Sequence, residues 1–179
     1  RATAMPANIV DWVLVELRET SGGAESASPA TMVGRQAALL LKDGSIVSTD
    51  GTSPLSFNYA PTQDIYVVVW HRNHLAVMAS NPASLNGSVY EYDFTSGAGQ
   101  VYGNELGHKQ LEPGIWGMVS GDAECDMEIN NLDKNDKWYN QYSGIGYFSG
   151  DLDMNGFVDN VDKNIPWKLN AGKCSMVVQ

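Results

Sequence analysis

Short alternating runs of apolar and polar residues fill the first two-thirds of the chain, and a different rhythm replaces them afterwards. Residues 9–18 (IVDWVLVELR) and 65–70 (IYVVVW) are dense in β-branched and aromatic side chains, as strands are, and the second run reads as a central core strand. Residues 31–41 (TMVGRQAALLL) lead into Lys42-Asp43-Gly44 and then Ser45-Ile46-Val47. Helical propensity suits the first of these runs. An Asp-Gly pair between apolar runs marks a hairpin, because glycine accepts positive φ, so both flanks are predicted as strands. Further strands are predicted at 55–59, 75–78, 89–94, 101–102 and 115–119, separated by turn residues such as Asn81-Pro82 and Pro113-Gly114. Seven to nine short strands with no convincing helix predict an antiparallel β-sandwich of immunoglobulin-like size over residues 1–119.

Past Ser120 the chain turns to Asp, Asn and Lys, and it repeats itself. GDAECDMEINNLDKNDKW from Gly121 and GDLDMNGFVDNVDKNIPW from Gly150 begin alike, share Asp-Lys-Asn and end on Trp138 and Trp167, all 29 residues apart. The second copy has the spacing of an EF-hand-type calcium loop. Asp151, Asp153, Asn155, Phe157, Asp159 and Asp162 fall at positions one, three, five, seven, nine and twelve, with Gly156 at the sharp turn of position six. Ca²⁺ takes six to eight hard oxygens at about 2.3–2.6 Å, and position seven supplies a backbone carbonyl, which frees its side chain to be Phe. The first copy places Asp122, Glu124, Asp126, Glu128, Asn130 and Asp133 at the same positions, with Met127 instead of glycine at position six. A positive φ at a non-glycine residue costs about 1 kcal/mol, so this site is expected to be weaker or reshaped. The competing reading is an acidic, solvated turn that binds nothing; two copies in register argue against it.

Apolar Ile129 and Val158 at position eight are expected to pair the two loops with each other. Helices are predicted over 131–142 and 160–170, the second losing one hydrogen bond at Pro166. Trp138 and Trp167 are expected in a small core between the two units, with carbohydrate stacking as the alternative. No Pro- or Ser-rich linker precedes this region, so residues 120–179 are expected to pack against the β-region.

Composition adds limits. The chain has 179 residues, 43% of them hydrophobic, enough for a core, and 18 Gly and 7 Pro fit many turns. A net charge of −10 argues against nucleic acid and anionic membrane as partners. Ten of the 21 acidic residues lie beyond Gly121, where metal would neutralise them. No run of about 20 apolar residues is present to cross a membrane as a helix. Beginning on Arg1, the chain is expected to be a processed piece of a longer precursor. Calcium loops suit an extracellular setting, where disulfides persist, so Cys125 and Cys174 are expected to be joined, two free thiols being the alternative. His71 and His74 invite a metal reading, but three residues apart on a strand two side chains face opposite sides, and a hydrogen-bonded structural pair closing a turn is expected instead. The chain lacks GxSxG, HExxH, CxxC and a phosphate-binding glycine loop, which points away from an enzyme; a glycosidase carboxylate pair stays open on sequence alone. Asn86-Gly87-Ser88 matches a glycosylation sequon.

The doublet, with Asp at position twelve and short following helices, resembles the type I dockerin repeat of cellulosomal proteins. With the upstream DWVLVELR, AALLLKDGSIV, VVVWHRNHLAVM and IWGMVSGD segments, the whole chain is similar to the C-terminal region of secreted and surface proteins of Bacteroidota-type bacteria. This resemblance implies a non-catalytic, secreted or cell-surface module with two calcium ions. The Ser-Thr pair read by a cohesin partner in cellulosomal dockerins is replaced by Asn131-Leu132 and Asn160-Val161, so the doublet is expected to clasp its own β-sandwich or a neighbouring subunit. The expected role is protein–protein contact, surface attachment or self-association into an extracellular fibre. Carbohydrate binding through residues such as Trp12, Trp70 and Tyr90 is the alternative.

Overall fold

The computed structural model describes residues 8–179. Antiparallel β-structure dominates, and two short helices follow it. Five strands, β1 (Ile9–Glu19), β2 (Met32–Leu41), β3 (Ile46–Val47), β4 (Ile65–Trp70) and β5 (Val77–Met78), form one sheet in the order β3-β2-β1-β4-β5. β1 is central: Val15 lies opposite Gln36 of β2 on one side and Val69 of β4 on the other. The Asp-Gly hairpin forms as expected. Gly44 takes a φ of 87°, the Asp43 carboxylate accepts the Ser45 amide, and Leu41 N–H donates to Ser45. Two small hairpins stand apart from this sheet, β6 (Ser84–Asn86) with β7 (Val89–Glu91) and β8 (Lys109–Glu112) with β9 (Ile115–Gly117).

Both faces of the five-stranded sheet carry apolar side chains, as the period of two dictates. Val13, Val15, Ala38, Val69 and Val77 share one face with Leu55, Phe57, Phe94 and Met118. Tyr66, Val68, Ala76 and Met78 share the other with Ala24, Ala27 and Val177. On that second face Arg18 is buried, paired to Glu16 at 2.7 Å, and donates to the carbonyls of Ala27 and Val178, each at 2.7 Å. A charge buried this deeply is tolerated because its donors are met.

Several expected strands are shorter than their apolar runs. Residues 55–59 pair with nothing in a sheet, because Pro54 and Pro61 bracket them and cannot donate to a ladder; Leu55 and Phe57 serve as packing instead. The 89–94 strand stops at Glu91, and Tyr92 leaves the ladder to donate its hydroxyl to the Gln100 carbonyl at 2.6 Å. The 75–78 and 115–119 runs shrink to β5 and β9, and Val101 makes a single bridge to Ala79. Lys109–Glu112, which carried no strand signal, pairs with β9 across Gly114 at a φ of 82°.

The acidic segment is fixed to the sheet by the HRNHL stretch that follows β4. The Asn73 side chain, fully buried, donates to the carbonyls of Ser149 and Asp151, and Gly121 N–H donates back to the Asn73 carbonyl. Asp11, on β1, receives Arg72 at 2.8 Å and the Tyr147 hydroxyl at 2.6 Å, with His71 Nε2 at 3.1 Å. Burial pulls the Asp11 carboxyl upward, but the bonds from His71, Tyr147 and Arg72 outweigh it and hold it well below the usual carboxylate range. His71 and His74 do not face opposite sides of a strand: the chain bends at Arg72 and Asn73, the two rings meet edge to face at 4.7 Å, and each bonds another residue, His71 Nε2 with Asp11 and His74 Nδ1 with the Asn73 side chain at 2.8 Å. The chain's last residues return to the sheet, where Ser175 donates to Ala76 and Val177 joins the core.

Candidate metal centres

Both loops fold by the same hydrogen bonds, 29 residues apart. The carboxylate at position one, Asp122 or Asp151, accepts the amides at positions five and six, all at 3.0–3.1 Å. The carboxylate at position twelve, Asp133 or Asp162, reaches back to the amide at position three at 3.1 Å and the amide at position nine at 2.8 Å. Position nine caps the helix that follows: Asn130 accepts from Leu132 and Asp159 from Val161. The backbone is left-handed twice per loop, at Cys125 (58°) and Met127 (75°) in the first and at Met154 (59°) and Gly156 (89°) in the second. The expectation that Met127 must take a glycine conformation is therefore met. Position four is a second such point that the spacing did not mark.

Within each loop three carboxylates converge. Asp122, Asp126 and Asp133 each offer an oxygen within 4.8 Å of the others, and so do Asp151, Asp153 and Asp162. Oxygens around one ion at about 2.3–2.6 Å lie no more than about 5 Å apart, so each triad can hold a metal ion. The third member differs, position five in the first loop and position three in the second. Glu124 lies outside its triad, and Asn155 faces Asp153, donating its amide at 3.0 Å. Asn130 and Asp159 each commit one side-chain oxygen to the helix cap. Glu128 and Phe157 at position seven sit at single antiparallel bridges to Cys174 and Ile145, in the pairing geometry whose N–H and C=O point away from the partner strand. Glu128 N–H accordingly points to Asp126, and its carbonyl shares that direction.

The carboxylates at positions one and twelve are almost wholly buried, and no basic side chain pairs with them among the described residues. Burial, reinforced by Asp133 and Asp126, pushes the Asp122 carboxyl up to about 7 against backbone bonds from Met127 and Asp126. Burial also raises Asp133, Asp151, Asp153 and Asp162. Such groups ionise readily once a cation compensates them.

The two loops do not pair with each other, contrary to expectation. Each pairs with the turn that follows the other unit's helix. Ile129 exchanges bonds with Gly172 and Lys173, and Val158 with Ser143 and Gly144. The helices, 131–141 and 160–170, each hold a wide, π-type stretch, Asp133–Trp138 and Lys163–Trp167. Pro166 is not its cause, since Lys137 stands at the equivalent place in the first helix. Trp138 donates its indole N–H to the Asp159 carbonyl at 2.6 Å, and Trp167 donates to the Asn130 carbonyl at 2.7 Å. Lys163 lies over the Trp138 ring at 4.6 Å and Lys134 over Trp167 at 5.0 Å. Trp138 is buried, and Trp167 packs on Leu75, Val119 and Ile129.

The expected disulfide is not formed. Cys125 and Cys174 are both free and exposed. Cys125, turned by its positive φ, directs its sulfur at the Arg72 carbonyl 2.9 Å away, whereas Cys174 bridges Glu128. No protein family, curated protein or solved structure matches the chain.

Proposed function

We propose that this chain is a non-catalytic, extracellular calcium-binding module, a β-sandwich region closed by a dockerin-like pair of calcium loops, that serves in assembly or surface attachment. One observation carries the calcium reading: two repeated loops each fold two buried carboxylates and one exposed carboxylate into a triad by the same set of bonds. Aspartates, amide oxygens and a backbone carbonyl are hard donors, and a flexible loop of them suits Ca²⁺ better than the rigid octahedron of Mg²⁺. When bound, the ions would neutralise the triads and brace the loops against the sheet.

The assembly role is supported by what the metal-loop region leaves outside. Tyr139, Ile145, Tyr147, Phe157, Ile165 and Leu169 are all exposed there, a large apolar display for a chain of this size. Calorimetric titration should find two calcium ions per chain, with one lost in each of Asp133→Asn and Asp162→Asn. Light scattering should find larger assemblies with calcium than with EDTA. No uptake would end the calcium reading, and uptake without any change of assembly would end the role given to it. Carbohydrate binding is a second reading, supported by the exposed rings of Trp12 and Tyr90; a glycan array without hits would remove it.

A further inference from the structure

We infer that each metal centre is positioned in trans, by the tryptophan of the other unit: Trp138, beside the first loop in sequence, sets the second centre, and Trp167 sets the first. This rests on the calcium reading above and concerns what holds each triad in shape. The route is short and complete. The Trp138 indole N–H donates to the Asp159 carbonyl, the Asp159 amide donates to the Asp162 carboxylate at 2.8 Å, and Asp162 closes the second triad. Trp167 repeats it through the Asn130 carbonyl, the Asn130 amide and the Asp133 carboxylate, also at 2.8 Å. An indole N–H is a donor with no other use, and burial makes its partner carbonyl costly to leave unmet.

Two further sets of contacts cross in the same sense. Ser143 and Gly146, after the first helix, donate to Val158 and Gly156 of the second loop; Gly172 and Ser175, after the second, donate to Ile129 and Met127 of the first. Lys163, one residue past Asp162, covers the Trp138 ring, and Lys134, one residue past Asp133, covers Trp167. Position nine, the helix cap and the carboxylate at position twelve are thus pinned from the opposite unit. Calcium bound in one loop orders the helix whose tryptophan completes the other, so the two ions bind with positive coupling.

A merely structural tryptophan would disturb its own loop first, so the crossing of effects is the test. In the Asp133→Asn variant of the whole 179-residue chain, which keeps the second centre, adding Trp138→Phe should weaken calcium binding about fivefold by calorimetry. In Asp162→Asn, which keeps the first, Trp138→Phe should change affinity less than twofold, and Trp167→Phe should give the reverse pattern. The indole N–H resonance of unmutated Trp138 gives a second reading that needs no tryptophan variant. It should move with calcium in Asp133→Asn, and further than it does in Asp162→Asn. Effects confined to each tryptophan's own loop, or an indole that follows the first centre, would overturn the inference while leaving the calcium reading intact. A wild-type chain that takes up no calcium would end both.

Discussion

Met127 carries the first loop's divergence from the second. Its φ of 75° stands where Gly156 has 89°, and a side chain in that region costs about 1 kcal/mol. Met127→Gly should therefore raise the thermal midpoint and tighten the first centre severalfold, measured by melting and by titration of the Asp162→Asn background. Asp122 makes a second prediction at this scale. Its carboxyl is pushed up to about 7 by burial, against 3.8 ordinarily, so folding favours its protonated form. That contribution is fully present below pH 3.8 and is lost as pH rises through about 7. Calcium needs the ionised form, so the midpoint gained on adding calcium should grow as pH rises from about 5 to about 8. His74, held down at about 3 by burial and by neighbouring His71 and Arg72, loses stability as pH falls below 6.5. It does so with and without calcium, so the difference between the two melting curves isolates the loops. Asp11 is the third case: with Arg72, His71 and Tyr147 all upon it, Asp11→Ala should cost about 3 kcal/mol in denaturant unfolding by stranding buried donors.

Among elements, the crossed pairing decides behaviour. The Ile129 and Val158 amides are held by strands from opposite units, donating to Lys173 and Gly144. Removing calcium should deprotect both to hydrogen exchange together, and in Asp133→Asn both should exchange faster, not Ile129 alone. The two acidic triads were legible because oxygens at fixed intervals have few other uses, and the two helices and the Lys42-Asp43-Gly44 hairpin were legible for similar local reasons. The partner of each loop was not. Ser143-Gly144-Ile145-Gly146 and Gly172-Lys173-Cys174-Ser175 have no alternating pattern, and which loop they meet is set by helix packing. Glu124 shows a related limit: spacing gives its position but not the convergence of its oxygens, and it lies outside the first triad. The Cys125–Cys174 pairing failed because the positive φ at Cys125, which aims its sulfur at Arg72, leaves no mark in the sequence.

At the scale of the molecule, sheet and loops share their interior. Ile129 packs with Leu75 and Val119, and Val177 packs with Tyr66 and Met78. Unfolding should be a single transition, with β-sheet ellipticity and tryptophan fluorescence melting at one midpoint that rises with calcium. Val177→Ala should lower that midpoint for both signals by removing about 2 kcal/mol of packing. The sandwich expectation is met only so far as antiparallel β-structure dominates. Facing the valine side of the sheet are the two small hairpins and irregular chain, which form with it a solvent-open pocket of about 1240 Å³ lined by Val13, Val69, Phe57, Tyr90 and Trp116.

The return of the tail to the sheet also sets an order of failure under mechanical load. Tension applied at Gln179 falls first on the Arg18–Val178 and Ser175–Ala76 bonds, which would yield by peeling. The next bonds in line are those of Ser175 and Lys173 to the first loop, because that strand is continuous with the tail. The second loop's strand, 143–146, lies inside the chain and is reached only later. A pulled molecule should thus release its ions one after the other, the first loop's before the second's. Two separate force steps, the earlier one abolished by Asp133→Asn, would be the record of it in an optical trap.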